Sequence, residues 1–276
     1  PLVNLGDERM QLPVNTFKRA MRQGEVLIGC WVGFASTNVA EAMAVSGFDW
    51  LVLDGEHAPN DPRSLIDQLR ALAPYPVQPI VRPVEASVAL VKQYLDIGAQ
   101  TLLIPMVDTP EQAALMVSAT RYAPDGIRGM GAALARASRW SQISDYIHTA
   151  NDEICLLVQA ETPLAMQNLQ AIAETDGVDG VFFGPADLSA SMGYRGQSDH
   201  PAVRKAMLDG IATVRAAGKA PGILMTDRTL AQFYLDAGAQ FVAVGLDTSL
   251  LMGAATALVR HFKPDQGGAA LPSSTY

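Results

Sequence analysis

A closed (β/α)8 barrel, the TIM-barrel architecture, is the fold this sequence predicts, and two observations predict it. From residue 26 onward, short apolar, β-rich runs alternate with stretches of helical period, and the alternation repeats eight times. The runs are apolar at nearly every position rather than at alternate ones, as strands buried on both faces of a parallel sheet must be. The chief rival, an open dinucleotide-binding sheet, would place a G-x-G-x-x-G turn after its first strand, and "GCWVGFAS" does not supply one.

In chain order the strands are expected at "VLIGCWVG" (26–33), "WLVLD" (50–54), "QPIVR" (78–82), "TLLIP" (101–105), "ICLLVQAE" (154–161), "GVFFGP" (180–185), "KAPGILM" (219–225) and "QFVAVGL" (240–246). Single apolar stripes at helical spacing lie between them: Leu65, Leu69 and Leu72; then Val88, Val91 and Leu95; then Ala165, Leu169 and Ile172. "SGFD", "DIGAQ", "DGVDG" and "DAGAQ" put a glycine where each helix must stop before the next strand. One barrel domain is expected over 1–276, with its core at 15–262, a short leader and the tail "KPDQGGAALPSSTY". The segment 122–152 breaks the rhythm, because a long connection in a compact domain is usually functional or contacts something. Leaving the barrel at its amino-terminal end, it would serve a neighbouring subunit rather than its own.

The excess of acids, 28 Asp and Glu against 20 Lys and Arg, argues against nucleic acid or an anionic membrane as partner. Cys30 and Cys155 sit inside apolar runs and read as small buried hydrophobes rather than a redox pair. No apolar run approaches the ~18 residues of a membrane span, and the opening residues lack the pattern of a secretory signal. A cytoplasmic protein is expected.

Catalytic groups of such barrels come from the carboxyl ends of the strands. Those ends read Trp31, Asp54-Gly-Glu56-His57, Arg82, Pro105, Gln159 with Glu161, Gly184-Pro185-Ala186-Asp187, Leu224 and Gly245. Acids, an imidazole and a guanidinium therefore share one rim. Glu161 and Asp187 are hard oxygen donors suited to Mg2+ or Mn2+, or else rim and helix-capping carboxylates. Arg82 could neutralise a substrate carboxylate or a developing enolate oxygen, or form an ion pair with Asp54 or Glu56. His57 could act as a general base steadied by a carboxylate, or be an exposed loop histidine. A Schiff-base route needs a lysine facing the mouth, and Lys219, the one lysine near a strand, lies at the wrong end.

Taken together, "DWLVLDGEHAPND", "QPIVRP", "TLLIPM", "GIRGMGAALARASRW", "VQAETPLAMQNL", "GVFFGPADLSASMGY" and "GKAPGILM" resemble the metal-dependent pyruvate aldolases of the HpcH/HpaI family over 15–262. The resemblance implies a class II aldolase that cleaves or forms 4-hydroxy-2-oxoacids, giving a 2-oxoacid (pyruvate, or hydroxypyruvate) and an aldehyde such as succinate semialdehyde. It implies that Glu161 and Asp187 bind a divalent metal (Mg2+, Mn2+ or Co2+), and that Arg82 contacts the keto oxygen. His57 paired with Asp54 would be the acid/base group. Gln159 and the backbone of Gly184, Pro185, Ala186 and Asp187 would hold the donor carboxylate, while Trp31 and Leu224 would line the pocket. It also implies a hexamer built as a trimer of dimers, the last helix exchanged between partners and Asp96 reaching into a neighbour's site. Glu56 is left between a partner of Arg82 or of bound water and a structural ion pair. Arg128, Arg136 and Arg139 could meet an acidic aldehyde or serve subunit contacts. The related acyl-CoA lyases of the citramalyl or citryl type, and 2-dehydro-3-deoxyglucarate aldolases, are the alternative readings.

Overall fold

The computed structural model describes residues 10–263; residues 1–9 and 264–276, which hold most of the expected leader and tail, lie outside them. Eight parallel strands close in sequence order: β1 (Leu27–Val32), β2 (Trp50–Asp54), β3 (Gln78–Arg82), β4 (Thr101–Ile104), β5 (Cys155–Ala160), β6 (Gly180–Phe183), β7 (Ala220–Leu224) and β8 (Phe241–Leu246). The helices are α1 (Thr16–Arg22), α2 (Thr37–Ala44), α3 (Pro62–Leu72), α4 (Val88–Asp96), α5 (Pro110–Thr120), α6 (Tyr146–Glu153), α7 (Pro163–Gln167), α8 (Leu169–Glu174), α9 (Pro185–Ser191), α10 (Pro201–Ala216), α11 (Arg228–Asp236) and α12 (Asp247–Phe262). Every expected strand forms within a residue or two of its predicted bounds. β8 pairs with β1, so no strand edge is left open.

The apolar residues divide into two cores because both faces of the sheet are buried. One fills the space between strands and helices, and Leu65, Leu69 and Leu72 of α3 lie in it. The other fills the barrel, where Trp31, Trp50, Val52, Ile80, Leu157, Phe182 and Phe241 meet. Its amino-terminal end is plugged by α1, whose Phe17 packs edge-on against Trp50 and Phe241 at centroid distances of 6.0 and 5.8 Å. Such a plug leaves the barrel interior open toward its carboxyl end.

Glycine makes room for the interior rings. A Cβ built on Gly29 would run into the fully buried Trp50 ring, whose indole N–H is held by the Leu27 carbonyl at 3.1 Å. Gly29→Ala is therefore expected to destabilise the protein by about 1–3 kcal/mol, the usual cost of overpacking a filled core. A melting midpoint equal to that of the parent would show that Trp50 can move aside.

The segment 122–152 builds a small core of its own. Tyr122 and Tyr146 stack edge to face, with Ala135, Ala137, Ile143 and Ala150 around them. Arg128 lies 4.4 Å over the Tyr122 ring and donates to Asp96 Oδ1 at 2.8 Å. Two 3-10 turns, Ala132–Leu134 and Arg136–Ser138, follow it. Arg136 spends its guanidinium on the carbonyls of Ile97 and Leu69, at the carboxyl ends of α4 and α3. Burial, with Arg139 and Arg70 nearby, pulls its pKa down to about 10.

Candidate active site

A cavity of about 200 Å³ opens at the carboxyl end of the barrel. Trp31, Asp54, His57, Arg82, Gln159, Glu161, Gly184 through Asp187 and Leu224 all line it, together with Gly33, Ala58, Phe182, Leu246 and Thr248. A second cavity, at the amino-terminal end, is lined by Leu12, Gln78, Gln100, Arg136 and Arg139 among others and has no His, Asp or Glu in its wall. Of these two, only the first brings acid/base groups together.

Arg82, the last residue of β3, is the electrostatic centre of the cavity. It is buried, and its fork grips Asp54 with Nε to Oδ1 and Nη2 to Oδ2, both 2.8 Å. Its Nη1 stands 2.6 Å from Glu56 Oε2, an ion pair whose angle falls outside hydrogen-bond geometry. The guanidinium carbon lies 5.2 Å from the Trp31 ring centroid, which gives Trp31 a cation–π role beside its packing one. Burial alone would lower the Arg82 pKa, but the hydrogen-bonded Asp54 and the charges of Glu56 and Glu161 raise it overall. Burial raises the Glu56 carboxyl, only partly offset by Arg82 and His57, while Asp54 and Asp187 push it further up.

The sequence "DGEH" builds this cluster through one tight step. Asp54 ends β2 in register with Arg82, and the next residue donates its N–H to the Arg82 carbonyl at 2.8 Å. A Cβ there would stand 2.7 Å from that carbonyl oxygen, so Gly55 is what allows the approach.

Glu161 follows β5 and is 2% exposed. Met106 donates its backbone N–H to Oε1 at 3.0 Å, and Gln159 Nε2 donates to Oε2 at 2.9 Å. Despite both, burial and the nearby Asp187 and Glu56 carboxylates push its pKa up to about 7. Gly184 gives it room, since a Cβ there would collide with Glu161 Oε2. Asp187 sits in the first turn of α9, which Pro185 starts.

A buried carboxylate crowded by others and short of positive charge fits a divalent cation. No group of three or more His, Cys, Asp or Glu side chains gathers as a ligand set among the described residues. Glu161 and Asp187 would thus supply two oxygens and leave the remaining positions to water and substrate, the habit of Mg2+.

One expected pairing does not form. Asp54 does not orient His57: Arg82 takes both its oxygens, and the acid nearest the imidazole is Glu56, with Nε2 to Oε2 at 3.9 Å. A bidentate Arg–carboxylate pair inside the barrel outcompetes a half-exposed histidine. Gln159 lines the cavity and is tied to Glu161. Its amide nitrogen serves Glu161, and the atom left over, Oε1, is a buried acceptor without a partner. That atom suits a hydroxyl or a water. Arg128, Arg136 and Arg139 belong to the segment that packs under the amino-terminal end, as expected of a connection that would serve a neighbour, and Arg128 holds Asp96 there as well.

Other contributors carry no legible signal. Met106 acts through a backbone N–H, set by a left-handed φ of 53° that no residue type in "IPMVDT" announces. Asp247 was missed because the expected rim of β8 ends at Gly245. It is buried and accepts from the N–H groups of Gly33 at 2.9 Å and Phe34 at 3.1 Å, tying the end of β1 to the start of α12.

Comparison with known proteins finds relatives along nearly the whole chain. The family model described as HpcH/HpaI aldolase/citrate lyase matches residues 27–254. The chain is 58% identical to the hydroxypyruvate/pyruvate aldolase of Pseudomonas aeruginosa, over 96% of this chain and 98% of that one. It is 56% identical to the 4-hydroxy-2-oxo-heptane-1,7-dioate aldolase of Salmonella arizonae, over 90% and 94% of the two chains. A crystal structure of an HpcH/HpaI aldolase/citrate lyase family protein from Burkholderia cenocepacia superposes with a TM-score of 0.88 at 40% identity, covering 91% of this chain and all of that one. With the match spanning nearly the whole barrel, the chain belongs to the HpcH/HpaI aldolase/citrate lyase family.

Proposed function

We propose that the protein catalyses the reversible aldol cleavage of 4-hydroxy-2-oxoacids into a 2-oxoacid, pyruvate or hydroxypyruvate, and an aldehyde such as succinate semialdehyde. The observation that carries this reading is the meeting of Arg82, His57, Glu161 and Asp187 in one small cavity. Glu161 and Asp187 would hold Mg2+, Mn2+ or Co2+, which supplies Lewis-acid polarisation of the donor's C2 carbonyl when bound. Arg82 adds a fixed positive charge where negative charge develops on the C2 oxygen. Because Asp54 and Glu56 already lock the guanidinium, it need not reorganise as that charge grows. His57, half exposed beside Glu56, takes the proton from the C4 hydroxyl in cleavage and returns it in condensation. The N-terminal turn of α9, Gly184 to Asp187, faces the same cavity and supports the donor carboxylate there.

The same reading makes the protein a cytoplasmic homo-oligomer, a hexamer with α12 exchanged between partners. Both cysteines are buried and free, in keeping with a reducing compartment, and no helix among the described residues is long and apolar enough to cross a membrane. Within the single chain α12 buries only Asp247 and exposes Leu250, Leu251, Met252, Leu258, Val259 and Phe262, more apolar surface than a free helix carries. Asp96 would meet its neighbour's site only in that assembly. An acyl-CoA lyase is disfavoured, since Arg82 is the one Lys or Arg among the described residues lining the mouth and it is already engaged.

The test is pyruvate release from a panel of 4-hydroxy-2-oxoacids, with CoA thioesters beside them, before and after chelation. Chelation is expected to remove more than about 99% of turnover, consistent with the several kcal/mol a Lewis acid contributes, and the divalent ion to restore it. Turnover that survives chelation, or that borohydride traps, would overturn the reading.

A further inference from the structure

We infer that the hydroxyl of Thr248, in the first turn of α12, selects for a hydroxyl group on C3 of the 2-oxoacid donor. The inference rests on the aldolase reading above. Going round the mouth, the ionisable groups occupy the ends of β2, β3, β5 and β6, and the remaining wall runs from β7 through β8 to β1. That wall is Leu224, Leu246, Trp31 and Gly33, and Thr248 is the single hydroxyl-bearing residue among the described residues lining the cavity.

The hydroxyl has no partner among the described residues, and its carrier cannot drift. Thr248 bonds through its backbone N–H, which donates to Asp247 Oδ1 at 2.7 Å. That same carboxylate, 3% exposed, also binds the N–H groups of Gly33 and Phe34. Asp247 thereby fixes the head of α12 against the end of β1. The Thr248 methyl is the group turned to Gly33, since a Cβ built there would meet Cγ2 at 3.7 Å.

A three-carbon donor has two recognisable ends. Its carboxylate and C2 oxygen are drawn to Arg82 and to the cation that Glu161 and Asp187 would hold, so a substituent on C3 lies along the opposite wall while C3 itself is met by the aldehyde on the His57 side. A methyl at C3 packs against Trp31 and Leu224 without further demand. A hydroxyl at C3 loses water on entering a wall of that kind and is rejected unless the wall returns a hydrogen bond, which Thr248 can both donate and accept. A site built around one such bond discriminates more sharply than an apolar pocket judging size alone.

The experiment is kcat/KM for hydroxypyruvate and for pyruvate with one common aldehyde, in the parent and in Thr248→Val, Thr248→Ala and Thr248→Ser. The hydroxypyruvate-to-pyruvate ratio is expected to fall about tenfold in Thr248→Val and Thr248→Ala, and to stay within about twofold of the parent in Thr248→Ser. A ratio that stays with the parent in Thr248→Val and Thr248→Ala, or falls equally in Thr248→Ser, would overturn the assignment. Should Thr248→Val fail to fold, the alanine and serine pair decides it. A parent enzyme that turns over neither donor with any divalent ion would instead overturn the aldolase reading, and the assignment with it.

Discussion

Arg82→Lys is expected to lower kcat/KM by about 10² to 10³, the usual cost of removing a preorganised donor from a developing oxyanion. Lysine keeps the charge but not the fork. In the parent one side chain holds Asp54 through two parallel bonds and stands in ion-pair contact with Glu56 through a third nitrogen. An ammonium on a flexible stem cannot hold both acids and still present a fixed donor to the substrate. Arg82→Ala goes further, because it strands two carboxylates whose side chains are only 5% and 15% exposed. It should also cost about 3–5 kcal/mol of stability, the penalty for breaking a buried pair on one side. Initial-rate kinetics and denaturant melts on both variants check this. If Arg82→Lys stays within about tenfold of the parent, charge alone suffices and the geometric argument fails.

Glu161→Gln is expected to abolish cation binding and with it turnover, while making the metal-free protein more stable at alkaline pH. The carboxyl has a folded pKa of about 7 against an ordinary value of 4.5, because burial and like charges oppose its ionisation. Between those values the folded state holds a proton that the unfolded state has released. Stability of the metal-free protein therefore falls as pH rises from 4.5 to about 7, and the loss is complete above that. Linkage sets the size of the effect at roughly 3 kcal/mol. A neutral amide removes this dependence. Its oxygen can still accept from Met106 N–H, and the partnerless Oε1 of Gln159 can turn to accept from its nitrogen. Melts from pH 5 to 8 with Mn2+ titrations provide the readout. An unchanged pH slope, or Mn2+ affinity equal to the parent's, would show that Glu161 is neither strained nor a ligand.

How legible the site was depends on the kind of group. Glu161, Asp187, Arg82 and His57 were readable because strand ends in a parallel barrel point their last side chains to one rim, and the ends could be located from apolar runs alone. The partnerships were readable only as rival alternatives, the ion pair of Arg82 with Asp54 or Glu56 among them. Asp54, Glu56 and His57 lie within four residues, and adjacency in sequence suggested that Asp54 serves His57. Strand register puts Asp54 opposite Arg82 instead, and a buried bidentate ion pair prevails over a half-exposed imidazole. Met106 was invisible because its contribution is a peptide N–H, present at every residue but proline. Asp247 lay just past the expected end of β8, where a loop and a helix start look alike.

The sequence by itself determined the closed barrel, the order of its strands, the end that carries chemistry and the residue types found there, since each follows from periodicity and local turn chemistry. Only the tertiary structure decided which acid pairs with Arg82, which atom of Gln159 is left to a ligand, and that Asp247 ties β1 to α12. These contacts join residues far apart in the chain, between 28 and 214 positions for the Arg82 and Asp247 bonds, and are chosen by burial and competition among partners. No local pattern encodes that competition, because its outcome depends on which rivals the closed barrel brings within reach.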